Sequence, residues 1–144
     1  KNNTTVTGMQ YKAAEGFTLA FQNGWDKEAY TNGKIWQVAT LRPGKYRLEV
    51  TYAYTMVVSD AGNFISALMA KGNSESDIPN VADIEQLNGV CAIYDKAGIN
   101  DDSGILVTPS FEVTETTDVV IGFLTSLAKG NSYFKVTELK LILE

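Results

Sequence analysis

Residues 43–56 read PGKYRLEVTYAYTM and carry the clearest strand signal in the chain. After the Pro-Gly turn, polar and charged residues alternate with apolar or aromatic ones, and the apolar face holds Tyr46, Leu48, Val50, Tyr52, Tyr54 and Met56. A period of two residues is typical of an antiparallel strand with one buried face and one wetter face. The pattern therefore predicts a long strand whose tyrosines lie in a core.

Shorter stretches with strand character lie on both sides of this one. They are residues 17–22, 36–41, 64–69, 90–94, 105–108, 111–115, 118–125 and 133–143. The stretch 64–69 follows a turn at 59–63, which predicts a hairpin with the long strand. Residues 118–125 are apolar on both faces, which predicts a central strand covered on both sides. In the last stretch the apolar phase changes, and this predicts a β-bulge near Thr137 and Glu138.

Residues 71–104 are more polar and have a weaker pattern. Val81, Ile84 and Leu87 have helical spacing after a candidate N-cap at Asn80, which predicts one short helix. The stretch 100–104 is predicted to be a loop, and the region as a whole to pass over one end of the fold. We therefore expect one all-β domain over residues 1–144, with a linker-like start at 1–5. It should be an antiparallel β-sandwich of eight or nine strands.

Composition excludes several classes of function. The chain contains no histidine, a single cysteine and a net charge of -5. Without histidine an ordinary catalytic triad or zinc site is not available, and the net charge disfavours nucleic-acid binding. Cys91 lies in an apolar stretch and is predicted to be a buried, unreactive thiol. No apolar run approaches the ~20 residues of a membrane helix. The chain is expected not to be an enzyme.

Three carboxylates are close together in the sequence at Asp95, Asp101 and Asp102. Calcium prefers several oxygen ligands, so a calcium site is one interpretation of this group. The spacing of an EF-hand is absent, and a solvated turn is the preferred interpretation. No metal ligand is assigned from the sequence. A structural calcium elsewhere in the fold stays open without a predicted position.

The aromatic residues of stretch 24–36 give the strongest indication of a binding site. Trp25 and Tyr30 lie among polar residues in a predicted loop, and Trp36 begins the following strand. Sugar rings present apolar C–H faces and hydroxyl edges, so a flat aromatic side chain with polar neighbours suits them. The predicted carbohydrate-binding residues are Trp25, Tyr30, Asp26, Asn32 and Lys34. Trp36 is expected to lie in the core.

Several motifs together resemble a known family of folds. They are Trp36–Gln37, LRPGKYRLEV at 41–50, FEV at 111–113, VVIGF at 119–123 and FKVTELKL at 134–141. In this order they resemble the galactose-binding-like jelly-roll domains, and especially uncharacterised domains of secreted lipoproteins of gut Bacteroidetes. The resemblance implies a jelly-roll sandwich on a bacterial secreted or cell-surface protein. Its lipoprotein anchor and its other domains would lie outside this chain.

Two functions follow as hypotheses. The first is a non-catalytic carbohydrate-binding module that uses exposed aromatic side chains and requires no cofactor. The second is a structural or adhesive domain that makes protein contacts, has an apolar surface patch and binds no glycan. A fold does not decide between them, because function depends on the site. Exposed tryptophans would favour the first hypothesis, and buried ones the second.

Overall fold

The computed structural model describes residues 8–12, 18–23, 29–59, 62–128 and 130–144, and for the first two ranges the backbone alone. The strands are β1 (Gly8–Lys12), β2 (Thr18–Asn23), β3 (Tyr30–Leu41), β4 (Gly44–Val57), β5 (Phe64–Lys71), β6 (Gly89–Ile93), β7 (Ile99–Val107), β8 (Phe111–Val113), β9 (Thr117–Leu127) and β10 (Ser132–Leu143). Two short 3₁₀ helices cover Glu75–Asp77 and Val81–Gln86.

The strands form two antiparallel sheets. One has the order β1-β2-β10-β4-β7, with β8 also paired to β4, and the other has the order β3-β9-β5-β6. From β2 onward the chain crosses repeatedly between the sheets, as in a jelly roll. The predicted all-β antiparallel sandwich is confirmed, and β2, near the N-terminus, pairs with the last strand, β10.

The core between the sheets is built from the alternation seen in the sequence. Leu48 and Val50 of β4 are fully buried, as is Phe134 of β10. Phe134 contacts the rings of Tyr52 and Tyr94 with centroid distances of 5.2 and 5.1 Å. Burial of such side chains contributes roughly 1.5–3 kcal/mol each and holds the two sheets together.

The outer face of the four-stranded sheet is covered by residues 72–88, which we call the covering segment. From this segment Ile78 is buried, and Val81, Ile84 and Leu87 pack with it. They lie on Leu68 of β5 and on Val120 and Leu124 of β9. Strand β9, which lies between β3 and β5, is therefore buried on both faces, as its sequence predicts. The expectation that residues 71–104 pass over one end of the sandwich was wrong, because the covering segment lies across a sheet face and the rest of that range contains β6 and the start of β7.

Two bulges change which side chains face the core. The predicted bulge in β10 is confirmed by a register shift between Val136 and Glu138. A second one in β4 was not predicted: Tyr54 has φ 54°, and the pairing with β7 shifts between Tyr52 and Thr55. Tyr54 is consequently 66% exposed while Thr55 is buried. The expectation that Tyr54 lies in the core was wrong.

Three other local expectations differ from the structure. Strand β5 does not form a hairpin with β4, because it pairs with β9 and β6 in the opposite sheet. Residues 100–104 are part of β7, a sheet-edge strand whose many polar residues resemble a loop in the sequence. The predicted helix is a 3₁₀ helix, interrupted by non-helical dihedral angles at Asp83.

In the described ranges no helix has the length and apolar character needed to cross a membrane.

Candidate functional site

The candidate site lies on β3, the edge strand of the four-stranded sheet. Leu41 lies in the core between the sheets, and Ala39 packs against it. Because side chains alternate along a strand, the even-numbered positions face the opposite way. Four side chains therefore form a row on the outer face, which we call the bare margin: Lys34, Trp36, Val38 and Thr40.

Trp36 is 37% exposed and Val38 is 44% exposed, so the prediction that Trp36 lies in the core was wrong. The reason is the position of β3, which pairs with β9 on one side and with no other strand among the residues that the structure describes. The β9 residue opposite Trp36 is Gly122. As glycine has no side chain, β9 places no side chain beside the indole, and an added Cβ at Gly122 would lie only 2.8 Å from Trp36 Cα. Trp36 is thus an exposed aromatic surface on a regular strand.

Tyr30 lies at the start of β3 and is half-buried. Its hydroxyl is 3.1 Å from Thr125 Oγ1 at hydrogen-bond distance, and burial raises the pKa of the phenol. The ring lies over Gly33, where an added Cβ would come within 2.9 Å of Tyr30 Cε2. It also packs against the core between the sheets. In this position Tyr30 supports the strand and offers little free ring surface.

Asn32 and Lys34 connect β3 to the covering segment. Asn32 Oδ1 accepts a hydrogen bond from the Val81 amide at 2.9 Å, and the Asn32 amide donates to Ser126 Oγ at 2.9 Å. Lys34 Nζ donates to the Ile78 carbonyl at 2.6 Å. An ammonium group has three donors, so Lys34 retains capacity for a ligand beside Trp36. Trp25 and Asp26 lie outside the described residues.

A polar pair closes the far end of the bare margin. The Thr40 hydroxyl donates to Asp118 Oδ1 at 2.6 Å in an exposed hydrogen bond. The remaining lone pairs of the Asp118 carboxylate can accept hydroxyl groups. Sequence reasoning missed both residues, since 78 positions separate them and only the β3–β9 register brings them together.

The inner side of the same strand borders an apolar cleft of ≈ 250 Å³ between the two sheets. Its walls include Ile35 of β3, Ile121 and Phe123 of β9, and Leu139 of β10. Ile35 is 36% exposed, and Leu141 further along β10 is 38% exposed. The described strands therefore leave the sandwich partly open at this edge.

Of the aspartates considered for calcium, Asp102 takes part in a hydrogen-bonded cluster with Tyr94 and Lys96. Asp102 Oδ2 accepts hydrogen bonds from the Tyr94 hydroxyl at 2.7 Å and from Lys96 Nζ at 3.3 Å. The Tyr94 hydrogen bond is the main cause that lowers the pKa of Asp102. Across the described ranges, no group of three or more histidine, cysteine, aspartate or glutamate side chains is arranged to hold a metal ion.

Cys91 is half-buried and packs against the cluster beneath the covering segment. Burial raises the pKa of its thiol. Since the thiolate is the reactive form, this environment disfavours a chemical role for Cys91.

Comparisons with known proteins extend this description. The C-terminal domain of EclA, a solved structure described as a sugar-binding protein, is similar in fold, with a TM-score of 0.52. The similarity covers 98% of this chain and 84% of that chain at 11% sequence identity. A comparison with curated proteins finds no match. At the level of sequence, residues 1–122 match a domain of unknown function, DUF5013, and the chain belongs to that family.

Proposed function

We propose that this domain is a non-catalytic carbohydrate-binding module. The observation that carries the proposal is the exposure of Trp36 on the face of a regular strand. Exposing an indole to water is unfavourable, and an aromatic ring that remains accessible on a rigid strand is suited to stack against the apolar face of a sugar. Because the strand is already ordered, binding costs little conformational entropy, so even a ligand that makes few contacts can bind.

We assign these residues two proposed roles. Trp36 serves as the stacking platform, and Trp25 and Asp26, in the stretch predicted to be a loop, are proposed as additional ligand contacts. Lys34 donates to sugar hydroxyls with the hydrogens that Ile78 leaves free. Tyr30 and Asn32 hold β3 against its neighbours, so that their effect on binding is through the position of the strand.

The fold neighbour supports the general class of ligand. EclA is described as a sugar-binding protein, and its C-terminal domain shares the architecture of this chain. We further propose that the domain belongs to a secreted or cell-surface bacterial protein of the Bacteroidetes lipoprotein type, with other domains in the same polypeptide. The acidic surface, with a net charge of -5, fits a soluble extracellular module.

A glycan and polysaccharide binding screen tests the proposal. The wild-type domain is compared with Trp36→Ala, Trp25→Ala and Tyr30→Phe, after circular dichroism has verified each fold. Loss of the indole at position 36 is expected to weaken binding by about tenfold or more, as the stacking contact is removed. Tyr30→Phe keeps the ring and is expected to bind normally.

An exposed aromatic residue on the other sheet provides the control. Tyr54 is 66% exposed and has φ 54°, a conformation that asparagine tolerates, so Tyr54→Asn removes a comparable surface without strain. It should leave glycan binding unchanged. Absence of binding to any glycan, or binding that Trp36→Ala does not affect, would refute the proposed site.

The apolar cleft beneath β3 favours a second candidate function, a structural or adhesive domain. Ile35, Leu139 and Leu141 expose inner-face surface that the sandwich leaves uncovered. An edge strand above such a cleft is suited to contact a neighbouring domain. Of the residues in β3, only Lys34 carries a charge.

The two candidates are separated by substitutions on opposite faces of β3. Ile35→Gln should abolish association with a domain partner and leave glycan binding intact, whereas Trp36→Ala should do the reverse. Light scattering of the domain, alone and joined to its neighbouring domains, measures association. If neither substitution changes association and the glycan screen is positive, the structural function is rejected.

A further inference from the structure

The bare margin is a long, narrow row of side chains. Successive side chains on one face of a strand are about 6.8 Å apart, so the row from Lys34 to Thr40 is about 20 Å long. That length exceeds a single sugar ring several times. The row is an open, extended surface, in contrast to a closed pocket, which would bind the end of a glycan chain.

The chemistry along this row changes in an ordered way. At one end Lys34 Nζ, held by the Ile78 carbonyl at 2.6 Å, offers hydrogen-bond donors. In the middle Trp36 and Val38 present apolar surface with 37% and 44% of their area exposed. At the other end the Thr40–Asp118 pair offers acceptors and a hydroxyl. Apolar contact in the middle with polar groups at both ends matches a chain of sugar rings with hydroxyl edges.

From this arrangement we propose that the bare margin binds an internal stretch of a neutral glycan chain lying parallel to β3. The inference rests on the proposed carbohydrate-binding function and specifies its ligand. Trp36 stacks on one ring, Val38 contacts the next, and Thr40 with Asp118 binds hydroxyl groups of a ring further along.

The charge of the surface selects the neutral chain. Asp118 lies at the margin, and the whole chain has a net charge of -5. A uronic acid or sulfated glycan would be repelled at the Asp118 end, and the positive charge of Lys34 lies at the opposite end, about 20 Å away, where salt screens it from that part of the ligand. A neutral polysaccharide avoids this repulsion and still satisfies the hydrogen-bonding groups.

Oligosaccharides of increasing length, prepared by partial hydrolysis of the neutral polysaccharide bound in the screen, test the inference by calorimetry. Affinity is expected to rise from the single sugar to the tetrasaccharide and then level off. Thr40→Val, which removes a hydrogen-bonding hydroxyl, and Asp118→Asn, which replaces a charged acceptor with a weaker neutral one, should each weaken hexasaccharide binding by about 2- to 10-fold and leave disaccharide binding unchanged. Both side chains are exposed, so the fold should tolerate these changes.

The outcomes distinguish this inference from the proposed function. If single sugars bind as tightly as hexasaccharides through Trp36, the site recognises a chain end, and only the inference fails. The inference also fails if both Thr40→Val and Asp118→Asn bind hexasaccharide like wild type, or if an anionic polysaccharide binds more tightly than any neutral one. If no glycan binds at all, the proposed function fails with it. Tyr54→Asn again serves as the control.

Discussion

The outer face of the four-stranded sheet has a covered centre and a bare margin. In the covered centre Leu68, Val120 and Leu124 are fully buried beneath the covering segment. In the bare margin Trp36 and Val38, one strand away, remain more than a third exposed. The register places Trp36 beside Gly122 and Val38 beside Val120, so adjacent residues differ widely in exposure.

This difference shows where apolar residues serve stability and where they are available for binding. The apolar side chains in the covered centre are buried by the covering segment and therefore contribute to stability. Those of the bare margin have no such cover among the described residues. The polar ends of the margin, Lys34 and Thr40, anchor it to the covering segment and to β9 without covering its middle.

The largest expected effect lies in the covered centre. Leu124→Ala removes a fully buried side chain between β9 and Ile78, and it should lower the free energy of unfolding by about 2–5 kcal/mol. Val38→Ala in the margin should lower it by less than about 1 kcal/mol, since water already reaches that side chain. Urea unfolding measures both variants. Equal losses would mean that the margin is part of the core.

Gly122→Ala tests the boundary between the two regions. An added Cβ would lie 2.0 Å from the Ile35 carbonyl oxygen and 2.8 Å from Trp36 Cα, so the two strands would have to separate. We expect a loss of about 1–3 kcal/mol in unfolding free energy, together with a shift in tryptophan fluorescence. The matched change Ala70→Gly probes the loss of a methyl opposite Val120, the neighbouring outer-face position of β9, from a residue that is fully buried. A Gly122→Ala protein as stable as wild type would contradict the close approach of β3 and β9.

Most of the fold could be predicted from periodicity because burial imposes it. The alternation in 46–52, the two-faced apolar pattern of 118–125 and the phase change near Thr137 each correspond to an observed feature. The bulge at Tyr54 could not be predicted in this way, since the sequence continues to alternate through it. Its cause is a positive φ, which the residue type does not indicate.

The site was harder to predict, because exposure depends on the position of a strand in its sheet. Trp36 begins an alternating apolar stretch and resembles a core residue until β3 is known to be an edge strand. Tyr30 follows a polar stretch of sequence and therefore resembles a surface residue, although its hydroxyl reaches Thr125. Both depend on pairing with β9, some 90 residues away in the sequence.

Tyr30→Phe is expected to have a smaller effect on stability. It removes one half-buried hydroxyl and its hydrogen bond to Thr125, at a cost of about 1 kcal/mol in unfolding free energy. Thermal unfolding together with glycan titration distinguishes a role of the Tyr30 hydroxyl in stability from a direct contact with the glycan. Reduced glycan binding at unchanged stability would place the Tyr30 hydroxyl in contact with the ligand and extend the binding surface to the start of β3.

The smallest expected effect concerns the turn that begins the covering segment. Asp77 Oδ2 accepts hydrogen bonds from the Ser74 hydroxyl and from the Ser74 and Asn73 amides, each at 2.9 Å. These bonds, the Ser74 hydroxyl first, lower the pKa of Asp77. Because the folded-state pKa is below the unfolded value of about 3.9, the carboxylate stabilises the fold above that pH. The contribution is lost as the pH falls through the folded-state pKa.

Asp77→Asn isolates this charge, because the amide oxygen can still accept a hydrogen bond. Its unfolding free energy should therefore decrease less steeply than that of wild type as the pH falls below about 4. Asp102→Asn is the comparison, since the pKa of Asp102 is also lowered but its partners Tyr94 and Lys96 lie away from the covering segment. Both substitutions should flatten the pH profile, but only Asp77→Asn should alter amide exchange in residues 72–78. Identical exchange in the two variants would mean that closure of the turn does not depend on the Asp77 charge, and that the packing of Ile78 and the hydrogen bonds to Lys34 and Asn32 are sufficient to hold the covering segment in place.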